Sequence, residues 1–170
     1  QALAISKQPP APPEMAGVAQ FDGLFRKAQV AVAAGRTDEA VDLAMQALDA
    51  APRAQNRDQI GWQVQSLAGS LLSGKSAANA EQLYRRALAL AESWSEDSLQ
   101  PLLNLLPAYA RFLLAHRERQ AEVPAAIERF RNLLIAAHGP DSGALEDAFR
   151  VTIDFERTRA QAPASLISAQ

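Results

Sequence analysis

The chain of 170 residues contains no cysteine, only two histidines and few aromatic residues. Without cysteine there are no disulfides, thiolate metal ligands or cysteine nucleophiles. His116 and His138 are the two histidines, and neither is spaced with a carboxylate or a nucleophile as in a catalytic set. We therefore expect a protein that is not an enzyme and that has no catalytic residues, no metal site and no cofactor.

Long hydrophobic runs and an excess of basic charge are also lacking. The most apolar stretch, Leu102 to Leu114, is interrupted by Asn104, Pro107 and Arg111. It therefore falls short of the roughly 20 apolar residues of a membrane span. The net charge is −2, from 17 basic and 19 acidic residues that are mixed along the chain. We expect no membrane span, and no nucleic-acid partner, because no basic face is available to neutralise phosphates.

Alanine is abundant instead, at about a fifth of the chain, and it is the strongest helix former. Apolar and small residues recur at the i, i+3, i+4 spacing of a helix face between Ala80 and Ala91. Related segments begin at Ala40 and Ala126. No segment alternates apolar and polar residues over the length of a strand. The sequence thus predicts an all-α protein of seven helices joined by short turns.

Glycine and proline indicate where these helices begin and end. Residues 1–20, which contain four closely spaced prolines from Pro9 onwards, predict a flexible arm or linker. Residues 21–160 form the predicted helical domain, and residues 161–170 a flexible tail. Within the domain we expect helical hairpins at about 21–52, 53–94 and 95–139 and a capping helix at 141–160. The chain begins with Gln1 rather than Met, which suggests truncation or processing and leaves a cytoplasmic and an exported location both open.

Individual residues predict details of the helix ends. Gly35 and Gly74 are expected to end the first helices of two hairpins in the left-handed conformation. Thr37 is expected to cap the second helix. Pro107 lies inside the fifth helix, where we expect a kink or a break.

The helical pattern repeats along the chain. Ala40 and Ala80 are 40 positions apart, and Ala80 and Ala126 are 46 positions apart. Periods in this range indicate stacked helical hairpins, each of which buries its apolar face against its neighbours.

The repeated residues follow one order of small, apolar and aromatic types. In the second hairpin these are Val64, Leu67, Ala68, Leu71, Gly74, Ala80, Tyr84, Ala87 and Leu88. The first hairpin matches at Gly35, Ala40, Ala44, Ala47, Leu48 and Pro52, and the third at Leu102, Leu105, Leu106, Tyr109, Ala126, Phe130, Leu133 and Leu134. In these residues the chain resembles the tetratricopeptide repeat family, and its long period resembles repeats of the kinesin light chain type. It departs from the pattern at Lys27, where leucine is expected, and by about eight extra residues within the third hairpin.

The resemblance implies a right-handed superhelix of about three hairpins with a capping helix. It also implies a concave groove, lined by the first helix of each hairpin, that binds a partner peptide or protein. By position the groove residues are Phe25, Arg26, Gln29, Trp62, Gln65, Ser66, Gly69, Asn104 and Arg111. Trp62 is the main candidate anchor, because aromatic residues are enriched among binding hot spots; packing of Trp62 against the first helix or the N-terminal segment is the alternative. The lysine–asparagine clamp of chaperone-binding members is not matched.

We therefore expect a non-catalytic protein–protein interaction module, such as a bacterial scaffold or assembly factor. One alternative is a self-associating protein, for instance a homodimer, which requires an exposed terminal face such as Phe149 and Phe155. A groove binder instead requires Trp62 and Leu103 on the concave side. A further alternative is a regulatory domain of a larger enzyme or sensor.

Overall fold

A computed structural model of the protein describes residues 13–51, 57–94 and 99–160, and this part of the chain is helical, with no strand. It contains seven α-helices and a 3-10 helix at Arg117–Glu122. The α-helices are α1 (Pro13–Ala33), α2 (Thr37–Ala50), α3 (Arg57–Ser73), α4 (Ala77–Glu92), α5 (Gln100–Ala115), α6 (Val123–His138) and α7 (Leu145–Ala160). The predicted all-α class and the number of helices are confirmed. Within these ranges no helix combines the length and the apolar character needed to cross a membrane.

The helices pack as three antiparallel pairs followed by a single helix. α1 pairs with α2, α3 with α4, and α5 with α6. The first helices of the pairs also contact one another in series, α1 with α3 and α3 with α5. α7 lies against both members of the last pair, α5 and α6. α1 and α3 each keep an exposed stripe, whereas α5 exposes only Gln100, Arg111 and Ala115.

Small residues lie where paired helices cross, and larger side chains fill the space beside them. Ala40, Ala44 and Ala47 of α2 are fully buried, as are Ala80 and Ala87 of α4. Because alanine has a short side chain, these helices approach their partners closely. An aromatic cluster joins α4 to α5: the ring centre of Tyr84 lies 5.9 Å from that of Tyr109 and 5.8 Å from that of Phe112. Tyr84 is therefore in the core, as its place in the repeat predicted.

The turns after α1 and α3 have the same backbone geometry, 40 positions apart. After α1, the amide of Gly35 donates to the carbonyl of Val32 and the amide of Arg36 to that of Ala31. After α3, the amide of Lys75 donates to the carbonyl of Leu72 and the amide of Ser76 to that of Leu71. The residue in the left-handed region is Gly35 (φ 75°) in the first turn and Lys75 (φ 63°) in the second. Lys75, and not the predicted Gly74, thus ends α3 in this conformation.

Two further predictions about helix ends are wrong. α1 begins at Pro13 and not near Phe21, so residues 13–20 are helical; proline is compatible with the first turn of a helix because that turn needs no amide donor. Thr37 is the first residue of α2 rather than its cap, and the helix has no side-chain cap hydrogen bond. The predicted arm over residues 1–12 and the predicted tail over 161–170 lie outside the described residues.

α5 continues through Pro107 without a break. Its residues on both sides of the proline, including Leu105, Leu106, Ala108 and Tyr109, are buried. This packing holds the helix on both sides of the position where proline removes one backbone donor.

The left-handed residue after α3 generates a stability prediction. Lys75→Gly should raise the free energy of unfolding by about 0.5–1 kcal/mol, because a side chain is disfavoured at positive φ and glycine is not. Gly35→Ala, at the equivalent position, should lower it by about 1 kcal/mol for the same reason. Urea unfolding followed by circular dichroism measures both changes. A lysine-to-glycine change that destabilises the protein would show that the turn is not left-handed at Lys75.

Candidate functional site

The exposed face of α3 carries the predicted groove residues of the second hairpin. Trp62 is 70% exposed, and Gln65, Ser66 and Gly69 are exposed on the same side of the helix. They lie opposite the buried stripe of Ile60, Val64, Leu67 and Leu71. Trp62 therefore points away from the core and does not pack into the contact between α1 and α3.

α1 contributes two of its three predicted residues to this side of the protein. Arg26 and Gln29 are exposed, whereas Phe25 is only 1% exposed. Phe25 lies on the inward stripe of α1 with Phe21, and the two ring centres are 5.0 Å apart. The prediction that Phe25 lines a groove is thus wrong, because the core takes up its ring. Sequence reasoning missed Val30, an exposed apolar residue four positions after Arg26.

α5 offers a narrower exposed stripe. Arg111 is exposed and Asn104 is half-buried. The Asn104 amide oxygen accepts a hydrogen bond from the side chain of Gln100, at 3.3 Å. Leu103, which a groove binder was expected to expose, is half-buried and packs against the core. The polar residues of α5 are therefore on this side, but Leu103 adds little apolar surface to it.

Together these residues define a surface that we call the α1–α3–α5 face. It comprises Arg26, Gln29 and Val30 of α1, Trp62, Gln65, Ser66 and Gly69 of α3, and Asn104 and Arg111 of α5. Between α1 and α3, the side-chain amide of Gln63 donates to the Asp22 carboxylate at 3.2 Å. Across the described residues, Arg26 and Arg111 form no ion pair, so both guanidinium groups are available to carboxylates.

The contact between α3 and α5 sets the orientation of this face. A Cβ atom on Gly61 would lie 2.8 Å from the Cβ of Asn104 and 3.4 Å from the carbonyl oxygen of Pro101. The two helices are thus too close at this point for any side chain on α3. Gly69 differs, since nothing lies within 4 Å of the position of its Cβ.

The two histidines lie in different surroundings. Nδ1 of His116 lies 2.7 Å from the carbonyl oxygen of Phe112, one turn earlier in the chain. The imidazole contacts the Phe112 ring at a tilt of 32°, with 4.2 Å between centres. His138 is exposed in the last turn of α6. Among the residues whose positions are described, no group of three or more histidine, aspartate or glutamate side chains is placed to hold a metal ion.

Comparison with protein families, with curated proteins and with solved structures gives no match to this chain. The likeness to the tetratricopeptide family remains a prediction from the residues quoted above.

The two glycines of α3 test the geometry of the face. Gly61→Ala should lower the free energy of unfolding by about 1–3 kcal/mol, because the added methyl group forces α3 and α5 apart. Gly69→Ala should raise it by about 1 kcal/mol, because alanine favours the helix and meets open space here. Both changes are the same substitution in the same helix, so each is a control for the other. Equal effects would contradict the close contact at Gly61.

Proposed function

We propose that the protein is a non-catalytic interaction module that binds a segment of a partner protein on the α1–α3–α5 face. The observation that carries this proposal is the position of Trp62, which is 70% exposed on α3, the middle helix of that face. An indole ring contributes a large contact area and is among the groups that most often dominate binding energy. Arg26 and Arg111 on the neighbouring helices supply charged hydrogen bonds to a bound carboxylate.

The surroundings of Trp62 support the same proposal. Gly69 lies two turns further along α3 on the same side, and Ser66 lies between them. These small residues leave room beside the indole for the backbone of a partner. Glycine in a helix interior is unfavourable by about 1 kcal/mol relative to alanine, and no neighbouring atom requires it at Gly69. Gly69 thus lowers the stability of α3 at a position that leaves open space near Trp62.

We also propose that the three helix pairs stack as tetratricopeptide-like hairpins in a right-handed superhelix, with α7 as the capping helix and the α1–α3–α5 face on the concave side. Three observations support this arrangement. The first helices of the pairs contact one another in series, the turns after α1 and α3 repeat the same hydrogen bonds, and Arg86 of α4 donates to Asp49 of α2 at 2.5 Å. A role as a bacterial scaffold or assembly factor agrees with such a surface.

Partner capture from the source cell tests the binding function. Trp62→Ala combined with Arg26→Ala should reduce the captured partner at least tenfold, because the anchor and one charged contact are both lost. Mass spectrometry quantifies the partner, and circular dichroism verifies that the variant keeps its helicity. Gln46→Ala with Gln82→Ala, two exposed positions on α2 and α4, is the matched control and should retain the partner. Equal capture by a folded Trp62 variant would exclude the α1–α3–α5 face as the binding surface.

Self-association is a second candidate function, because α7 also exposes apolar side chains. Phe149 is 59% exposed and Ile153 is 51% exposed, one turn apart. Phe149 borders a groove of about 390 Å³ between α6 and α7, whose apolar lining includes Pro124, Ile127 and Leu145. Phe155, the other residue expected on this face, is half-buried and packs against the core.

If α7 mediates a dimer, Phe149→Ser with Ile153→Ser should convert the protein to a monomer. Both changes remove exposed apolar surface and leave the buried stripe of α7, with Ala148 and Val151, intact. Light scattering over a range of protein concentrations measures the mass. A wild-type protein that stays monomeric at about 100 μM, far above the micromolar dissociation constants of ordinary interfaces, would rule out this candidate.

A further inference from the structure

A cleft between α4 and α6 lies away from the α1–α3–α5 face. α2 and α4, the second helices of the first two pairs, pack against each other, whereas α4 and α6 make almost no close backbone contact. The 3-10 helix Arg117–Glu122 is inserted between α5 and α6 and provides one end of the opening. The cleft has a volume of about 590 Å³, within the range of small-molecule sites.

The floor of the cleft is apolar and belongs to α5. It is formed by Leu106, Tyr109 and Leu113, which are buried among the helices. Leu88 and Ala89 of α4 line one wall, and Ala125 and Ala126 of α6 line the other. An apolar group of moderate size in the cleft therefore contacts hydrocarbon side chains of α4, α5 and α6.

The rim of the cleft is charged but balanced. Arg85 of α4 pairs with Glu122 of the 3-10 helix at 2.9 Å, and Arg129 of α6 pairs with Glu92 of α4. Both ion pairs span the opening, and their side chains are about half exposed. Such pairs hold their geometry weakly. Two guanidinium groups and two carboxylates cancel, so the rim favours a ligand without net charge.

Tyr109 places one polar group among these apolar side chains. The residue is 7% exposed, and its buried hydroxyl group has no hydrogen-bond partner among the described residues. The guanidinium of Arg85 lies over the tyrosine ring, 5.9 Å from its centre. Burial raises the pKa of Tyr109, although the nearby charge of Arg85 acts in the opposite direction. The hydroxyl is therefore protonated at neutral pH and is a hydrogen-bond donor.

We propose that the cleft between α4 and α6 binds an uncharged, mainly apolar small molecule through a carbonyl or hydroxyl oxygen that accepts a hydrogen bond from Tyr109. The apolar floor holds the body of the ligand, and the half-exposed side chain of Arg85 moves aside when the oxygen reaches the hydroxyl. A carboxylate is disfavoured, because both guanidinium groups of the opening are already paired, Arg85 with Glu122 and Arg129 with Glu92. This site is independent of the partner-binding face.

Three small probes of similar shape test the proposal: acetophenone, isopropylbenzene and benzoate. The first carries a neutral acceptor, the second carries none, and the third carries a charged one. Titration of the ¹⁵N-labelled protein, followed by amide chemical shifts, locates and measures binding. We expect acetophenone to shift the amides of Ala89 and Ala125, to bind more tightly than benzoate, and to lose about fivefold in affinity in a Tyr109→Phe variant, which is the effect of one net hydrogen bond. Acetophenone that binds the Tyr109→Phe variant as tightly as the wild type, or benzoate that binds as tightly as acetophenone, would overturn the proposal.

Variants of the protein distinguish the contribution of the hydrogen bond to ligand affinity from that of the apolar contacts. Isopropylbenzene is the control for Tyr109→Phe, because it accepts no hydrogen bond and its affinity should stay unchanged in this variant. Ala125→Trp should fill the cleft and abolish the binding of both probes. Ala136→Trp is its control, since Ala136 is exposed on α6 about three turns further along. Thermal unfolding verifies that each variant is folded. Unchanged binding in a folded Ala125→Trp variant, or shifts spread over the whole protein, would exclude this cleft as the site.

Discussion

Close approach of helices through small residues is the constraint on which the rest of the structure depends. Ala40, Ala44, Ala80 and Ala87 have no exposed surface, and each lies where one helix of a pair crosses the other. Gly61 is the extreme case, because even a methyl group there would collide with Asn104. When a helix packs closely against its neighbour through such residues, its rotation about its own axis is fixed. This rotation directs the opposite side of α3, with Trp62, into solvent.

The same constraint is relaxed in the third pair. Its repeat is longer by six positions, from Ala80 to Ala126 rather than from Ala40 to Ala80, and the 3-10 helix occupies the added length. As a consequence, α6 does not pack against α4 in the way that α4 packs against α2. Instead, the ion pair of Arg129 with Glu92 connects α6 to α4, and that of Arg85 with Glu122 connects the 3-10 helix to α4. The aromatic side chains of α5 lie beneath them. Because polar contacts across a gap replace direct packing of α4 against α6, a cleft remains between these two helices.

Much of the fold was predictable from spacing alone, and the exceptions have physical causes. The periodicity of alanine and leucine predicted the helices and the buried position of Tyr84. The left-handed residue at Lys75 was missed because glycine usually takes such positions, and only the hydrogen bonds of the turn show that Gly74 comes one residue too early. Phe25 was misplaced because a resemblance assigns positions, whereas the contact with Phe21 determines which stripe of α1 faces inward. The cleft beside Tyr109 depends on a gap between helices that are distant in sequence, so no local pattern predicts it.

Gly69 supports the proposed binding role of α3 alongside Trp62. A single exposed aromatic residue is ordinary on a protein surface. Gly69, however, weakens the helix interior by about 1 kcal/mol relative to alanine, and neither its backbone nor its neighbours require a glycine. An exposed indole and a glycine beside open space share one stripe of α3, which agrees with the proposed close approach of a partner segment to this helix.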